Sequence, residues 1–519
     1  MLLAFWLMLV AGTCSRMDSD PDIWGHTLYG IRHLSLGEST PNDPFSYTAA
    51  NAPWVNHEWL CELIFGLLWQ KMGTAGFWAM RLMFVALSLF IVLSLTYEST
   101  RGLWAGLILL PLGCLELAQG YSFRPQLFTY MGLALVMLLA CRIHQQRRWS
   151  VWWTFLVVPL LCCWVNWHGG FVVGLCFLSF LLLHQSVEHL RGNVELSRLA
   201  VTTAAILAAW LATLINPYGF GLWAWMWQAL STSRSMRITE WATAAGFERQ
   251  YSLIPFYTIS ALTVATLILT RRKRDWFEWG IMSAMCVASW LQTRHSGLFC
   301  MAVIAYLPKY IESAFPGLAR PSTFSRAFVS ATCIIAALFA VGIHFTSGHR
   351  PTTILVDLKT QPYNALSFIK ANKLQGNFVV MFDWAQFAIW HLHDTSRVAF
   401  DGRFRTVYPK TVEDDYFRFH LGREQWSNLL DDYDTQLVLM GAHWPALERM
   451  KQRKDWRMVY HSGKLNSPIG VDQESEEAVV FLKRGEFPQF EERLDRGQVM
   501  VPVRRTMFRF DEPLASEDS

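Results

Sequence analysis

The sequence predicts an α-helical polytopic membrane protein of about 11 transmembrane helices with a C-terminal soluble α/β domain. Charged residues separate the two parts. Of the first 345 residues, 38 are Asp, Glu, Lys or Arg, about 11%, against 48 of the remaining residues, about 28%. Soluble proteins have roughly 25%. We therefore assign residues 1–345 to a membrane domain and 346–519 to a soluble domain, which excludes wholly soluble, fibrous and disordered proteins.

Apolar runs long enough to cross a bilayer, or nearly so, recur along the first part. They lie at about 75–96, 103–119, 126–142, 150–166, 171–187, 198–215, 251–270, 276–292, 297–313 and 326–345. A shorter run, Met1–Thr13, opens the chain without a basic start or a small-residue cleavage site. We interpret it as a first transmembrane helix and not as a signal peptide.

Basic residues orient these helices. With the N-terminus in the cytoplasm, the loops 97–102, 143–149, 188–197, 271–275 and 314–325 are cytoplasmic. They and their helix ends hold about 13 Lys and Arg, against about 9 on the longer opposite side, as the positive-inside rule requires. An odd number of spans then exports the C-terminal domain. Since this topology accounts for the positive charge of the membrane part, nucleic acid is not a predicted partner.

The exported part has the pattern of a small α/β domain. Strands are expected at 377–382, 397–400, 436–440 and 478–482, and helices near 363–372, 384–392, 412–421 and 445–454. Phe400–Arg403 (Phe-Asp-Gly-Arg) ends a strand in a tight turn and resembles a site. The favoured interpretation is a structural cap that contains an Asp–Arg pair.

The first outer loop, residues 14–74, is the richest in candidate site residues. Seven of the 16 acidic residues of the membrane part lie between Asp18 and Glu62. Asp20 and Asp22 stand just outside the first span, where a carboxylate can deprotonate an acceptor hydroxyl or amine. Either could instead hold a divalent cation beside a phosphate. The structural alternative is that they cap the helix that begins near Ile23.

The same loop supplies further candidates. His26, His57 and Glu58 are candidate substrate-binding residues. His57 and Glu58 together with Asp20 or Asp22 form a mixed ligand set suited to a divalent ion. The sequence establishes no cofactor, and a divalent cation is the one candidate.

Other polar residues fall at the predicted outer ends of later spans. Arg124 and Arg294 suit a phosphate headgroup, because guanidinium pairs phosphate oxygens bidentately, although either could simply extend to lipid headgroups. Glu116 lies within a span, with Arg124 as a suggested partner. His295 adjoins Arg294, and His168 is either a ligand or a satisfied turn residue. Their common side suggests one shared cavity.

The order of motifs in the first loop resembles the GT-C superfamily of polytopic glycosyltransferases. These motifs are Asp20-Pro-Asp-Ile-Trp24, Pro53 followed after five residues by Trp59-Leu60, Met72-Gly73-Thr74 and Met80-Arg81-Leu82. The parallels are bacterial aminoarabinose–lipid A transferases and protein O-mannosyltransferases. With Trp164-x-Asn-x-His-Gly-Gly170, Asn216-Pro-Tyr-Gly219 and Asp401-Gly-Arg403, nearly the whole chain is similar to uncharacterised bacterial membrane proteins described as glycosyltransferase-like. It departs from the enzymes in lacking their Lys-Pro-Pro and their usual acidic pair.

The resemblance implies an inverting transferase in the bacterial cytoplasmic membrane. Its donor would be a polyprenyl-phosphate sugar, and its acceptor a lipid, glycan or protein at the outer face, with membrane lipids around it. By position, Asp22 or Asp20 would be the general base, and Arg124 and Arg294 would bind the donor phosphate.

Two other classes stay open. One is a non-enzymatic component of an envelope-polysaccharide assembly complex. The other is a transporter of a lipid-linked precursor, which is less favoured because transporters place polar groups near mid-bilayer.

Overall fold

The structure is a computed structural model that describes residues 20–38, 40–99, 109, 112–117, 120–144, 150–231, 241–246, 250–316, 353–357, 360–462, 478–501 and 507–514. The chain divides into two compact units. Met1–Arg16 and Phe77–Pro351 form one, here called the helical unit. Met17–Gly76 and Thr352–Ser519 form the other, called the mixed unit. Each is described by itself.

Two helices of the first outer loop open the mixed unit, and most of the helical unit follows. The helices up to residue 314 are α1 (Ile23–Leu36), α2 (Trp59–Met72), α3 (Thr74–Ser99), α4 (Gln126–His144), α5 (Val151–Phe155), α6 (Val157–Trp167), α7 (Phe171–Leu190), α8 (Leu196–Ala212), α9 (Phe220–Ser231), α10 (Ile254–Leu269), α11 (Trp276–Leu291), α12 (Ser296–Tyr306) and α13 (Pro308–Ala314).

Three helices among the described residues are long and apolar enough to cross a membrane, namely Thr74–Tyr97, Gln126–His144 and Phe171–Leu190. Most of the other predicted runs also begin and end close to observed helices. Three of these are shorter apolar segments, Val151–Trp167, Leu196–Ala212 and Ile254–Leu269. The expected runs at 1–13 and 326–345, and most of 103–119, lie outside the described residues. The total of 11 spans stays a prediction.

Small residues allow the helices of the helical unit to approach closely. Trp164 of α6 is fully buried between α4 and α7. A Cβ atom at Gly132 would lie 2.6 Å from its ring, and one at Gly174 would lie 2.5 Å from it. Glycine at both positions therefore makes the slot for the indole, which is how helices pack where lipid supplies no hydrophobic driving force between them.

The C-terminal part of the mixed unit is a sheet covered by helices. Its elements are β1 (Leu355–Asp357), α14 (Tyr363–Ala371), β2 (Gly376–Val380), α15 (Phe382–Leu392), β3 (Ser396–Val398), α16 (Lys410–Leu421), α17 (Asn428–Asp431), β4 (Leu437–Gly441), α18 (Ala446–Gln452), β5 (Trp456–His461), β6 (Ala478–Lys483), α19 (Pro488–Asp495) and β7 (Met507–Arg509). The five-stranded sheet has the order β3-β2-β4-β6-β5. β2 is parallel to β3 and β4, and β6 is antiparallel to β4 and β5. β1 pairs with β7.

The first outer loop packs with this sheet domain, whereas the sequence assigned residues 14–74 to the membrane domain. Trp24 of α1 is fully buried, stacks on Phe510 at 5.3 Å and meets Phe387 edge-on at 4.9 Å. Tyr29 donates a hydrogen bond to Gln386 of α15 at 2.7 Å. The apolar face of α1 is thus covered by protein, and Met17–Gly76 belongs to the same compact unit as the sheet.

Candidate active site

The close crossing of α1 and α2 positions the acidic residues of the first loop. At Gly66 a Cβ atom would lie 2.5 Å from the backbone carbon of Gly30, and one at Gly30 would overlap the carbonyl group of Glu62. Because neither glycine has a side chain, the two backbones touch. This contact brings the side chain of Glu62 beside that of His26.

His26 and Glu62 form the electrostatic centre of the loop. His26 Nδ1 lies 3.0 Å from Glu62 Oε1, and Asn56 Nδ2 donates to Glu62 Oε2 at 2.5 Å. Burial by itself lowers the pKa of His26. The hydrogen bond to Glu62 and the negative charges of Glu58, Glu62 and Asp22 outweigh it and raise the pKa to about 9. His26 is therefore an imidazolium at neutral pH.

The two predicted bases differ in what their carboxylates do. Asp20 Oδ1 accepts the backbone N–H of Asp22 at 3.0 Å, so Asp20 shapes the turn before α1. Asp22 is the N-cap residue of α1, and its side chain makes no capping hydrogen bond. Its Oδ1 lies 2.7 Å from where a Cβ atom of Gly402 would stand. The capping alternative thus does not hold for the side chain of Asp22, while a structural role does hold for Asp20.

A group of possible cation ligands in the mixed unit differs from the predicted group, which stays a prediction. Ligand atoms of His26, Glu58 and Glu62 lie within 4.8 Å of one another. His57 Nε2 is 3.8 Å from Glu58 Oε1 and lies outside this group, as do Asp20 and Asp22. Sequence reasoning missed Glu62. Its spacing of four residues from Glu58, the N-cap residue of α2, was the available signal, since residues four apart at a helix start lie on one side of it.

Arg403 joins the first loop to the turn after β3. Its guanidinium donates to Asp401 Oδ1 at 2.9 Å and Oδ2 at 2.7 Å, and to Asp43 Oδ1 at 2.5 Å. Tyr408 also donates to Asp401 Oδ2 at 2.6 Å. Burial lowers the pKa of Arg403, but the carboxylates more than compensate and raise it, so the side chain stays charged. The predicted Asp–Arg pair is present as one part of a three-residue clamp. The Asp-Gly-Arg turn is therefore structural.

The candidates of the helical unit are placed separately. Glu116 is buried and accepts a short hydrogen bond from Ser296 Oγ. Among the residues that the structure describes, the hydrogen-bond partner of Glu116 is thus Ser296, whereas the sequence suggested Arg124. Arg294 and His295 lie in a 3₁₀ turn, Thr293–His295, directly before α12. Arg124 precedes α4 and is half-buried, as is Arg294. A site on Glu116 therefore involves the start of α12.

His168 has the contacts of a turn residue. Its Nδ1 accepts the backbone N–H of Gly170 at 3.0 Å and lies 2.7 Å from Thr129 Oγ1. These bonds hold the sharp connection between α6 and α7, which supports the structural interpretation. The shared cavity that would gather all these outer loops stays a prediction.

Solved structures share the fold. The apo oligosaccharyltransferase of Archaeoglobus fulgidus aligns with a TM-score of 0.51 and 12% identity, covering 84% of this chain and 69% of its own. Archaeal AglB from the same organism, in complex with an inhibitory peptide and a dolichol-phosphate, has a TM-score of 0.53 with the same identity and coverage. ArnT from Cupriavidus metallidurans, bound to undecaprenyl phosphate, aligns over 93% of this chain and 97% of its own at TM-score 0.49 and 12% identity.

The chain therefore has a GT-C-like fold, as the first-loop motifs indicated. No protein-family model matches it, and no curated protein does. At 12% identity the likeness describes the fold alone, so site and activity are argued from the residues.

Proposed function

We propose that the chain is a membrane glycosyltransferase that moves a sugar from a polyprenyl-phosphate donor to a lipid, glycan or protein acceptor at the outer face of a bacterial cytoplasmic membrane. The observation that carries this proposal is Asp22. In a GT-C-like fold, it supplies a carboxylate at the start of α1 that is not used to cap the helix. Asp22 is preferred to Asp20, whose carboxylate oxygen holds the turn.

In this mechanism Asp22 removes the proton from the acceptor hydroxyl as that oxygen attacks the anomeric carbon. The bond between this carbon and the phosphate oxygen breaks, and the phosphate leaves with the electron pair. Attack opposite the leaving group inverts the anomeric centre. The leaving phosphate would need a cationic partner, since charge-assisted pairs with guanidinium strengthen as negative charge develops, and Arg124 and Arg294 stay the predicted candidates for this role.

A divalent cation fits the mixed unit at His26, Glu58 and Glu62. One imidazole and two carboxylates form a donor set for such ions, and their ligand atoms converge within 4.8 Å. The ion would supply a positive charge beside a phosphate. Because the pKa of His26 is raised to about 9, binding through this ring must displace a proton. Cation affinity at this group should therefore increase from pH 7 to pH 9.

The test compares Asp22→Asn with Asp20→Asn in the native host, by mass spectrometry of the envelope glycans. Asp22→Asn should lose the same modification as a deletion strain. Asp20→Asn should keep it, because the amide oxygen of asparagine can still accept the Asp22 N–H. Membrane abundance and gel-filtration profile serve as controls for folding.

Normal modification by a fully inserted Asp22→Asn protein would contradict the proposal. If the deletion nevertheless has a phenotype, the chain is better described as a non-enzymatic component of an assembly complex. If Asp22→Asn instead loses the modification, the mass missing from the envelope glycan would identify the sugar.

A further inference from the structure

Three metal-ligating side chains meet in the helical unit at residues predicted to lie at or near its cytoplasmic end. His144 is the last residue of α4, His184 lies near the end of α7, and Asp275 is the N-cap residue of α11. His144 Nε2 is 3.0 Å from Asp275 Oδ2, and His184 Nε2 is 3.6 Å from Asp275 Oδ1. None of these residues takes part in the proposed transfer reaction.

The surroundings of His184 differ from those of an ordinary core histidine. The residue is 6% exposed, and its Nδ1 is buried without a hydrogen-bond partner among the described residues. Its Nε2 is too far from Asp275 for a hydrogen bond. Buried polar groups in native proteins are nearly always satisfied. Within the described residues, neither nitrogen of this imidazole therefore has a hydrogen-bond partner, and Nε2, the nitrogen that faces Asp275, is the one that could bind an ion.

We propose that His144, His184 and Asp275 bind a divalent transition-metal ion of the Zn²⁺ class. Zn²⁺ binds imidazole nitrogen and carboxylate oxygen at about 2.0–2.1 Å, so two ligands of a tetrahedral site are about 3.3 Å apart. The two imidazole nitrogens lie 3.0 and 3.6 Å from the two oxygens of the Asp275 carboxylate, and these separations bracket this value. The ligand atoms of all three residues lie within 4.8 Å of one another. Two histidines and one carboxylate leave the fourth position open.

Aromatic rings fix both imidazoles in place. Trp276 stacks on His184 with ring centroids 4.4 Å apart, and Phe277 stacks on His144 at 5.6 Å. Asp275 is held by the helix it caps, because its Oδ1 accepts the backbone N–H of Phe277 at 2.9 Å. Ligands fixed in this way lose little conformational entropy when an ion binds.

The three ligands line a cavity of about 730 Å³, so an ion could enter from it and hold a further ligand at its open position. The basic side chains that line the cavity do not exclude a cation. Lys309 pairs with Glu278 at 2.5 Å, and Arg191 pairs with Glu188 at 2.8 Å. The others, Arg272, Lys273 and Arg274, are exposed to solvent, which screens their charges.

The experiment measures metal content in the full chain, purified in detergent, stripped with a chelator and dialysed against Zn²⁺ or Co²⁺. His184→Ala tests a ligand directly. Asp275→Asn removes the negative charge but keeps a residue that caps helices well. The matched control is His189→Ala on the same helix, since His189 bonds the Val194 carbonyl at 2.6 Å and lies outside the cluster. His26→Ala isolates the cluster of the mixed unit.

We expect His184→Ala and Asp275→Asn to bind one equivalent of Zn²⁺ fewer than the parent chain, with at least tenfold weaker affinity at this site. The Co²⁺-loaded parent and both controls should show the visible absorption of a tetrahedral nitrogen–oxygen site. Zn²⁺ should raise the melting temperature of the parent more than that of Asp275→Asn, which keeps the cluster of the mixed unit. Absence of bound metal in the parent, or unchanged metal content in both ligand variants, overturns the proposal. The proposal is also overturned if the Co²⁺ absorption is lost in His26→Ala and kept in both ligand variants, because the ion would then lie in the mixed unit.

Discussion

Replacing Arg403 by Met should destabilise the mixed unit strongly, because it removes the positive member of a buried clamp. The Arg403 side chain is 4% exposed, and its partners Asp43 and Asp401 are fully buried. Removing one partner of a buried ion pair typically costs about 3–5 kcal/mol. The carboxylates would keep other donors, including Phe45 N to Asp43 at 2.9 Å and Tyr408 Oη to Asp401 at 2.6 Å. We therefore expect a cost toward the lower end of that range.

Arg453 offers a matched control of the same chemistry at the surface. It also pairs with two aspartates, Asp431 and Asp455, each at 2.6 Å. Its side chain is 24% exposed, and those of its partners are 43% and 49% exposed. Exposed pairs contribute about 0–1 kcal/mol, and salt screens them. Arg453→Met should thus change stability little, and the remaining difference should shrink at high salt.

The assay is thermal unfolding of the full chain in detergent, with hydrogen exchange of peptides around residues 43–56 and 398–408 to localise the effect. For a unit of this size each kcal/mol corresponds to about 2–4 °C, so Arg403→Met should lower the transition by roughly 6–15 °C. Faster exchange should appear in both peptides, since the clamp joins segments 360 residues apart. Equal small shifts for Arg403→Met and Arg453→Met would refute the role assigned to burial.

Two further predictions concern the first loop. Gly66→Ala should destabilise the mixed unit by about 1–3 kcal/mol, because its Cβ atom would meet the backbone of Gly30. The control is Gly221→Ala, whose Cβ atom would meet nothing within 4 Å. This change should be neutral or mildly stabilising in the same melting experiment. The pKa of His26 is raised from 6.5 to about 9 in the folded chain, so its stabilisation should be complete below pH 6.5 and lost as the pH rises through 9. Denaturation midpoints from pH 6 to 10 should show this loss, and Glu62→Gln should abolish it; a Glu62→Gln curve that follows the parent would assign the pH dependence to another group.

Local patterns were sufficient for much of the C-terminal domain. A short apolar run predicted a strand at 436–440, and an amphipathic pattern predicted a helix at 412–421; the structure places them at Leu437–Gly441 and Lys410–Leu421. The edge strand Trp456–His461 was missed, because Arg457 and His461 interrupt its apolar run and it is buried on one side only. β1 and β7 were missed because each strand has only three residues and pairs with a strand that is distant in the sequence.

For the candidate site, the acidic motif identified the region but could not rank its residues. Asp20 and Asp22 are the same residue type in the same short motif, so the sequence does not distinguish them. Their difference is conformational, since one accepts a backbone N–H and the other does not cap its helix. Glu62 gained its role only through the contact with His26, 36 residues away, which depends on the glycine crossing of the two helices.

The sequence by itself determined that the chain has an apolar helical part and a charged α/β part, because transfer between lipid and water depends on composition, whatever the fold. It also determined many of the local elements, which follow from patterns within a few residues. Only the tertiary structure decided that α1 and α2 pack on the sheet domain, since an apolar face such as that of Trp24 can be covered equally by lipid or by protein. The clamp at Arg403 and the cluster at His184 likewise required the fold, because their members are distant in the chain and meet only when the helices and strands pack.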